Sequence, residues 1–297
     1  MGRELLRIGA PFRQPEWSAL ALLEAPDYVV KAHAGFLAAG ADVVTTNSFA
    51  VVPFHIGEER FAARGRDLAD LAGRLARQAV AESGRPALVA GSLPPPFGSY
   101  RPDLFRPAEA ARIFDTLVAG LAPHVDLWLA ETQSSIAEAE AAKRAISAVP
   151  ARPFWISFTL EDTHPEEIAA GRVLPALRSG ESIAQAVAAV QALGAEALLF
   201  NCSHAAVMEP ALRAAAEALE GSPTRVRIGA YANAFVQHRH SHERQANSDL
   251  CDLRADLDPA AYAEYARRWK ERGASIVGGW CGIGPDHIAS LAAALRE

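Results

Sequence analysis

Nowhere does this chain string together the roughly 18 apolar positions of a membrane-spanning helix. Its start, Met1-Gly-Arg-Glu-Leu-Leu-Arg, has no long apolar core of the secretory-signal type. The expectation is therefore a cytoplasmic protein. Cysteine is scarce: three residues, an odd number, too few for a disulfide scaffold, so reduced thiols are the default. Positive charge is not in excess. A net charge of −6 argues against nucleic acid or an anionic membrane as partner. No internal repeat or coiled-coil pattern is present, and no shift in composition marks a boundary. One domain over residues 1–297 is expected.

What is present is a repeated unit. Half of the residues are hydrophobic. Short apolar, β-branched runs at 41–46, 87–91, 125–130, 153–158, 196–200, 226–231 and 275–279 read as strands. Helical stretches separate them, for example 58–82, 107–121, 134–148, 182–193, 205–219 and 259–272. A last helix follows from Pro285, a residue suited to a first helical turn because its missing N–H is not needed there. Strands alternating with helices imply a parallel sheet. No Gly-x-Gly-x-x-Gly follows the first strand, which weakens a dinucleotide fold. The length and even spacing favour an α/β (β/α)8 TIM-type barrel. Seven strands are found, so the first strand of the eight is expected before Met1.

Barrel enzymes carry their sites at the C-terminal ends of the strands. Here those ends read Thr45-Thr46-Asn47, Gly91-Ser92, Glu131-Thr132, Ser157-Phe158-Thr159, Asn201-Cys202, Tyr231-Ala232-Asn233 and Gly278-Gly279-Trp280-Cys281. Cys202 and Cys281 are candidate thiolate ligands for zinc. They could equally be two small buried apolar residues. Cys251 lies away from any strand end and reads as a structural or surface thiol. Glu131 suits a substrate ammonium group, or else a charge at the start of the next helix. His238, His240 and His242 alternate as metal ligands would on an extended strand, yet their charged neighbours favour a solvated loop. His204 is a possible extra ligand or an ordinary helix-start residue. Asp286 and His287 need no role beyond the last helix.

These residues together resemble the homocysteine S-methyltransferase family, over essentially the whole chain. The resemblance rests on Gly40-Ala-Asp-Val-Val-Thr-Thr-Asn-Ser-Phe49, Gly91-Ser-Leu93, Ala130-Glu-Thr132, Asn201-Cys202 and Gly278-Gly-Trp-Cys-Gly282 with Pro285-Asp-His-Ile288, in the family's order. It implies a methyl group moved from a sulfonium or ammonium donor, such as S-methylmethionine, to the thiol of homocysteine held on zinc. It also implies that Glu131 grips the acceptor's amino group, that Thr46, Asn47 and Asn201 contact substrate, and that Cys202 and Cys281 ligate the metal. No further catalytic side chain is assigned. Two features depart from the pattern. Trp280 stands where the family has a third thiolate, and the opening Asp-Gly-Gly with its strand is absent from these residues. The alternative is a degenerate barrel that binds a small amino acid or thiol without metal-dependent methyl transfer.

Overall fold

The computed structural model describes residues 1–236 and 252–296. Seven parallel strands form one sheet in the order β1 to β7. They are β1 (Val43–Thr45), β2 (Leu88–Leu93), β3 (Leu127–Gln133), β4 (Phe154–Phe158), β5 (Ala197–His204), β6 (Arg227–Asn233) and β7 (Ala274–Val277). Every apolar run read as a strand is one. β2, β3, β5 and β6 run further at their C-terminal ends than the apolar pattern suggests. There the alternation gives way to polar residues that still hydrogen-bond as strand. The sheet is curled in the manner of a TIM-type barrel.

Alternation explains the two layers. Ala90, Leu127, Leu129, Trp155, Ala197, Leu199 and Tyr231 point inward and pack on one another across the curl. The intervening residues, among them Val89, Trp128, Ile156, Leu198, Phe200 and Ile228, face the helices. Strands buried on both faces read as continuous apolar runs, as these do. Burying a side chain of this size stabilises by about 1.5–3 kcal/mol. The helix Glu58–Ser83 shows the matching pattern, with Phe61, Leu68, Ala72, Leu75, Ala76 and Ala79 on its buried face.

β1 and β7 are not paired with each other among the described residues. A cavity of about 1050 Å³ runs between them from the strand mouths past Val43, Leu88 and Ile276 to Leu295. It occupies the place of the remaining strand of a closed barrel. No helix among the described residues is long and apolar enough to cross a membrane.

One close approach fixes where β7 lies. At Gly229 in β6 a Cβ would stand 2.1 Å from the carbonyl oxygen of Ile276 and 2.8 Å from Leu199. β6 and β7 also slip register beside this residue. Gly229→Ala is therefore expected to cost about 3 kcal/mol, the upper end for overpacking, because backbone and not a flexible side chain must yield. The midpoint of urea unfolding measures it. An unchanged midpoint would mean that β7 moves aside at no cost.

Candidate active site

Backbone strain aims the first thiol. By alternation Asn201 faces into the barrel and Cys202 would face the helices. Cys202 instead has φ 49°, in the left-handed region, which costs a residue with a Cβ roughly 1–2 kcal/mol. The β5–β6 register breaks at the same place, between Asn201 and His204. The reversal leaves Cys202 lining the cavity mouth. Thr132 has φ 63°, and the β3–β4 register breaks around it. The two irregularities are tied together by Asn201. Its Oδ1 accepts from Thr132 N at 2.9 Å and from Ser157 Oγ at 2.8 Å, and its Nδ2 donates to Thr132 Oγ1 at 2.8 Å. Asn201 is fully buried and its amide is spent on the framework of the site.

The second thiol comes from the turn after β7. Gly278 N donates to Ala230 O at 3.1 Å and Trp280 N to Ala232 O at 3.0 Å. Cys281 O accepts from Ala234 N at 2.8 Å. The Tyr262 hydroxyl donates to Gly278 O at 2.7 Å. At Gly279 a Cβ would overlap Ile283, with 2.0 Å to its Cγ2, so only glycine lets this turn close. The turn brings Cys281 within hydrogen-bond reach of Cys202. Burial pushes the Cys202 thiol well above its usual range. The hydrogen bond from Cys202 holds Cys281 below it. Cys281 is the more acidic of the pair.

Glu131 is buried at the end of β3 and lines the same cavity. It accepts from Ser92 Oγ and, at 3.5 Å, from the Tyr231 hydroxyl. Burial raises its pKa to about 7. It is not the charge at the start of the following helix. That place is taken by Glu138, which accepts from Ser134 N and Ser135 N in a capping box.

Thr46 and Asn47 also line the cavity. Thr46 Oγ1 accepts from Ser92 N at 3.0 Å and lies 2.9 Å from Ser48 Oγ. Asn47 Nδ2 donates to Ser18 O at 2.9 Å, while its Oδ1 has no hydrogen-bond partner among the described residues. Trp280 packs edge-on against Phe49, with ring centroids 5.3 Å apart, and against Tyr231 at 5.6 Å.

His204 does not complete a metal site. Its Nδ1 accepts from Ala206 N at 3.2 Å, capping the next helix, and its Nε2 lies 2.6 Å from Arg254 Nη1. His238, His240, His242 and Cys251 lie outside the described residues. Among the described residues, no group of three or more His, Cys, Asp or Glu could hold a metal. What is there is a pair of adjacent thiols, the soft donors zinc takes, one short of the three protein ligands of a catalytic zinc site.

Sequence reasoning missed Tyr100. It arrives on the proline-rich loop after β2, and its hydroxyl lies 2.6 Å from Cys202 Sγ. It also missed Arg178, which stands 4.9 Å from the centre of the Tyr100 ring. No local signal marks either residue, since both belong to loops far from Cys202 in sequence.

The comparisons with known proteins agree with one another. The family model described as homocysteine S-methyltransferase matches residues 1–295. The homocysteine S-methyltransferase of Escherichia coli K12 is 30% identical, over 99% of this chain and 92% of that protein. YbgG, a homocysteine S-methyltransferase of Bacillus subtilis 168, is 27% identical, over 100% of this chain and 93% of that one. The crystal structure of the homocysteine methyltransferase MmuM from Escherichia coli, in its metallated form, superposes with a TM-score of 0.76 at 25% identity. That alignment covers 100% of this chain and 94% of MmuM.

Proposed function

The chain belongs to the homocysteine S-methyltransferase family, and on that premise we propose that it moves a methyl group from a sulfonium or ammonium donor to the thiol of homocysteine, with zinc as cofactor. One observation carries the reading. Glu131 and the Cys202–Cys281 pair line one cavity at the C-terminal ends of the strands, an anion for the acceptor's ammonium and thiols for a metal beside its sulfur.

The roles follow from the geometry. Ionised Glu131, steadied by Ser92 and Tyr231, pairs with the ammonium group of homocysteine. Asn47 Oδ1, which has no hydrogen-bond partner among the described residues, accepts a further hydrogen bond from substrate, and Thr46 stands beside it. Asn201 acts behind the wall, holding Thr132 and the turn into Cys202. Cys202 and Cys281 would hold zinc. When bound, the metal supplies Lewis acidity that keeps the acceptor sulfur deprotonated at neutral pH, where a free thiol with pKa about 8.5 is mostly protonated. The sulfur attacks the donor's methyl carbon, an S–CH3 bond forms, and the electron pair of the broken bond leaves on a neutral sulfide or amine. The aromatic group of Phe49, Trp280 and Tyr231 at the mouth suits a cationic donor, because ring faces attract such cations.

The test is direct. The purified chain is incubated with homocysteine and either S-methylmethionine or a quaternary ammonium donor, with and without added zinc. Methionine formed in a zinc-dependent manner is expected. No methionine from either donor would overturn the proposal.

Trp280 favours a second reading, a barrel that holds an amino acid or thiol without methyl transfer, since an indole cannot ligate zinc. Trp280→Cys separates the two. Adding the third thiolate is expected to tighten zinc binding by at least about tenfold, measured by competition with a chelator. Methionine formation by Trp280→Cys but not by the native chain would support the second reading.

A further inference from the structure

We propose that Tyr231 is a positioning residue that couples the two substrates, so that an acceptor held at Glu131 completes the binding wall for the methyl donor. The proposal rests on the reading of Glu131 and of the aromatic group given above, and adds a dependence of one site on the other.

Three observations carry it. A continuous path crosses the cavity mouth from the acceptor's carboxylate to the donor's rings. The Tyr231 hydroxyl lies 3.5 Å from Glu131 Oε2, its ring centroid 5.6 Å from that of Trp280, and the Trp280 ring 5.3 Å from that of Phe49. All four side chains line the one cavity, and Tyr231 is the member that meets both the carboxylate and the indole. The backbone behind this path is fixed. Ala230 O and Ala232 O, on either side of Tyr231, accept from Gly278 N at 3.1 Å and from Trp280 N at 3.0 Å. A displacement of the Tyr231 ring is therefore passed to the Trp280 ring and not absorbed by the strands moving apart.

The third observation is slack in the hydroxyl contact. A hydroxyl donating to an ionised carboxylate settles at about 2.5–2.7 Å, so this one has roughly 1 Å left to close. Burial keeps Glu131 protonated up to a pH of about 7, and an ammonium group beside it favours the ionised form. The Tyr231 hydroxyl has a second neighbour in Ser157. The Ser157 proton is spent on Asn201 Oδ1 at 2.8 Å, so towards Tyr231 this hydroxyl can only accept. Burial holds the Tyr231 phenol well above its usual range, so it remains a donor. An acceptor ammonium that ionises Glu131 thus draws the phenol proton from Ser157 to the carboxylate and changes the angle at which the Tyr231 and Trp280 rings meet. The proton that Glu131 releases passes to solvent at the mouth.

Equilibrium binding to the full chain tests this without turnover. Trimethylsulfonium, a cation with no ammonium group, probes the donor wall. L-2-Aminobutyrate, which has the acceptor's ammonium group and no thiol, probes Glu131. Calorimetry measures the affinity for the sulfonium with and without saturating amino acid. The native chain is expected to bind the sulfonium at least about fivefold more tightly when the amino acid is present, and the amino acid to gain the same factor from the sulfonium. Tyr231→Phe keeps the ring and removes the hydroxyl. It is expected to cut this gain to about twofold or less, with a urea midpoint close to that of the native chain. Tyr231→Leu removes the ring as well and is expected to weaken binding of the sulfonium alone by at least about fivefold. A native gain in Tyr231→Phe, or two ligands that bind the native chain independently, would overturn the coupling and leave the acceptor and donor sites standing. A native chain that fails to bind one of the two ligands would overturn the coupling together with the site which that ligand probes, whereas methyl transfer to homocysteine is scored separately by its product.

Discussion

Replacing Cys281 by serine is expected to lower methyl transfer to homocysteine by about a thousandfold and to leave the fold in place, because a metal that stabilises charge in the transition state contributes several kcal/mol. Among the described residues the site has two thiols and no spare. Loss of either leaves a single soft donor, too few to retain zinc. The fold should survive because the structural contact of Cys281 is made by its backbone, whose carbonyl accepts from Ala234 N. Cys202→Ser is a harsher change. Its side chain is buried and bears on both Tyr100 and Cys281. The pair is assayed for bound zinc by elemental analysis, for methionine formation and for secondary structure by circular dichroism. Retention of a tenth or more of the native rate by folded Cys281→Ser protein would remove this thiol from the reaction.

Glu131→Gln should cost about 3–5 kcal/mol of acceptor binding in the transition state, the range for stripping one partner from a buried charge pair. That corresponds to a fall in kcat/KM for homocysteine of roughly a hundredfold to several thousandfold. The amide can keep the contacts with Ser92 and Tyr231, so the loss reports charge and not collapse. The pH dependence has a definite sign. Burial raises the Glu131 pKa to about 7 in the folded chain. Below that pH the carboxyl is neutral and cannot pair with an ammonium group. Native kcat/KM should therefore fall as pH drops through 7, and this limb should be missing in Glu131→Gln.

Stability moves the other way. The folded pKa is raised above the ordinary value of 4.5, so the folded state holds this proton where the unfolded chain releases it. The contribution of the neutral carboxyl is fully present below about 4.5 and is lost as pH rises to about 7. A shift of this size corresponds to about 3 kcal/mol. Glu131→Gln carries no such loss. Its stability relative to the native chain should climb by about that much between acid and mildly alkaline pH, measured by urea unfolding. A constant difference across this range would show that folding leaves the Glu131 pKa at its ordinary value.

The strands and their order were legible because burial on both faces leaves a local trace. Runs such as Phe154–Phe158 and Ala197–Phe200 are short, apolar and bounded by turns or helices. The polar residues at their ends were legible as a group for the same reason, since they interrupt the pattern at one end of each strand. Their individual roles were not. Asn201 shares the strand end with Cys202, yet its amide is consumed by Thr132 and Ser157. The helix-charge reading of Glu131 was open in sequence and fails because Glu138 sits at the helix start. His204, a possible extra ligand in sequence, is held by Ala206 N and Arg254.

The sequence alone determined the α/β alternation, the ring of strand ends and the presence of two thiols and a carboxylate among them. Residue identity and period are local properties; that Trp280 stands in the place of a third thiolate is what the resemblance to the family implies. Only the tertiary structure decided that Cys202 turns into the mouth against its alternation and that Cys281 reaches it. The same holds for Tyr100, which joins the thiols from a proline-rich loop with Arg178 behind it. The reason is physical: a left-handed backbone angle and a contact 102 residues apart depend on how the sheet curls and where its loops return. Neither leaves a mark in the periodicity of the segment that carries it.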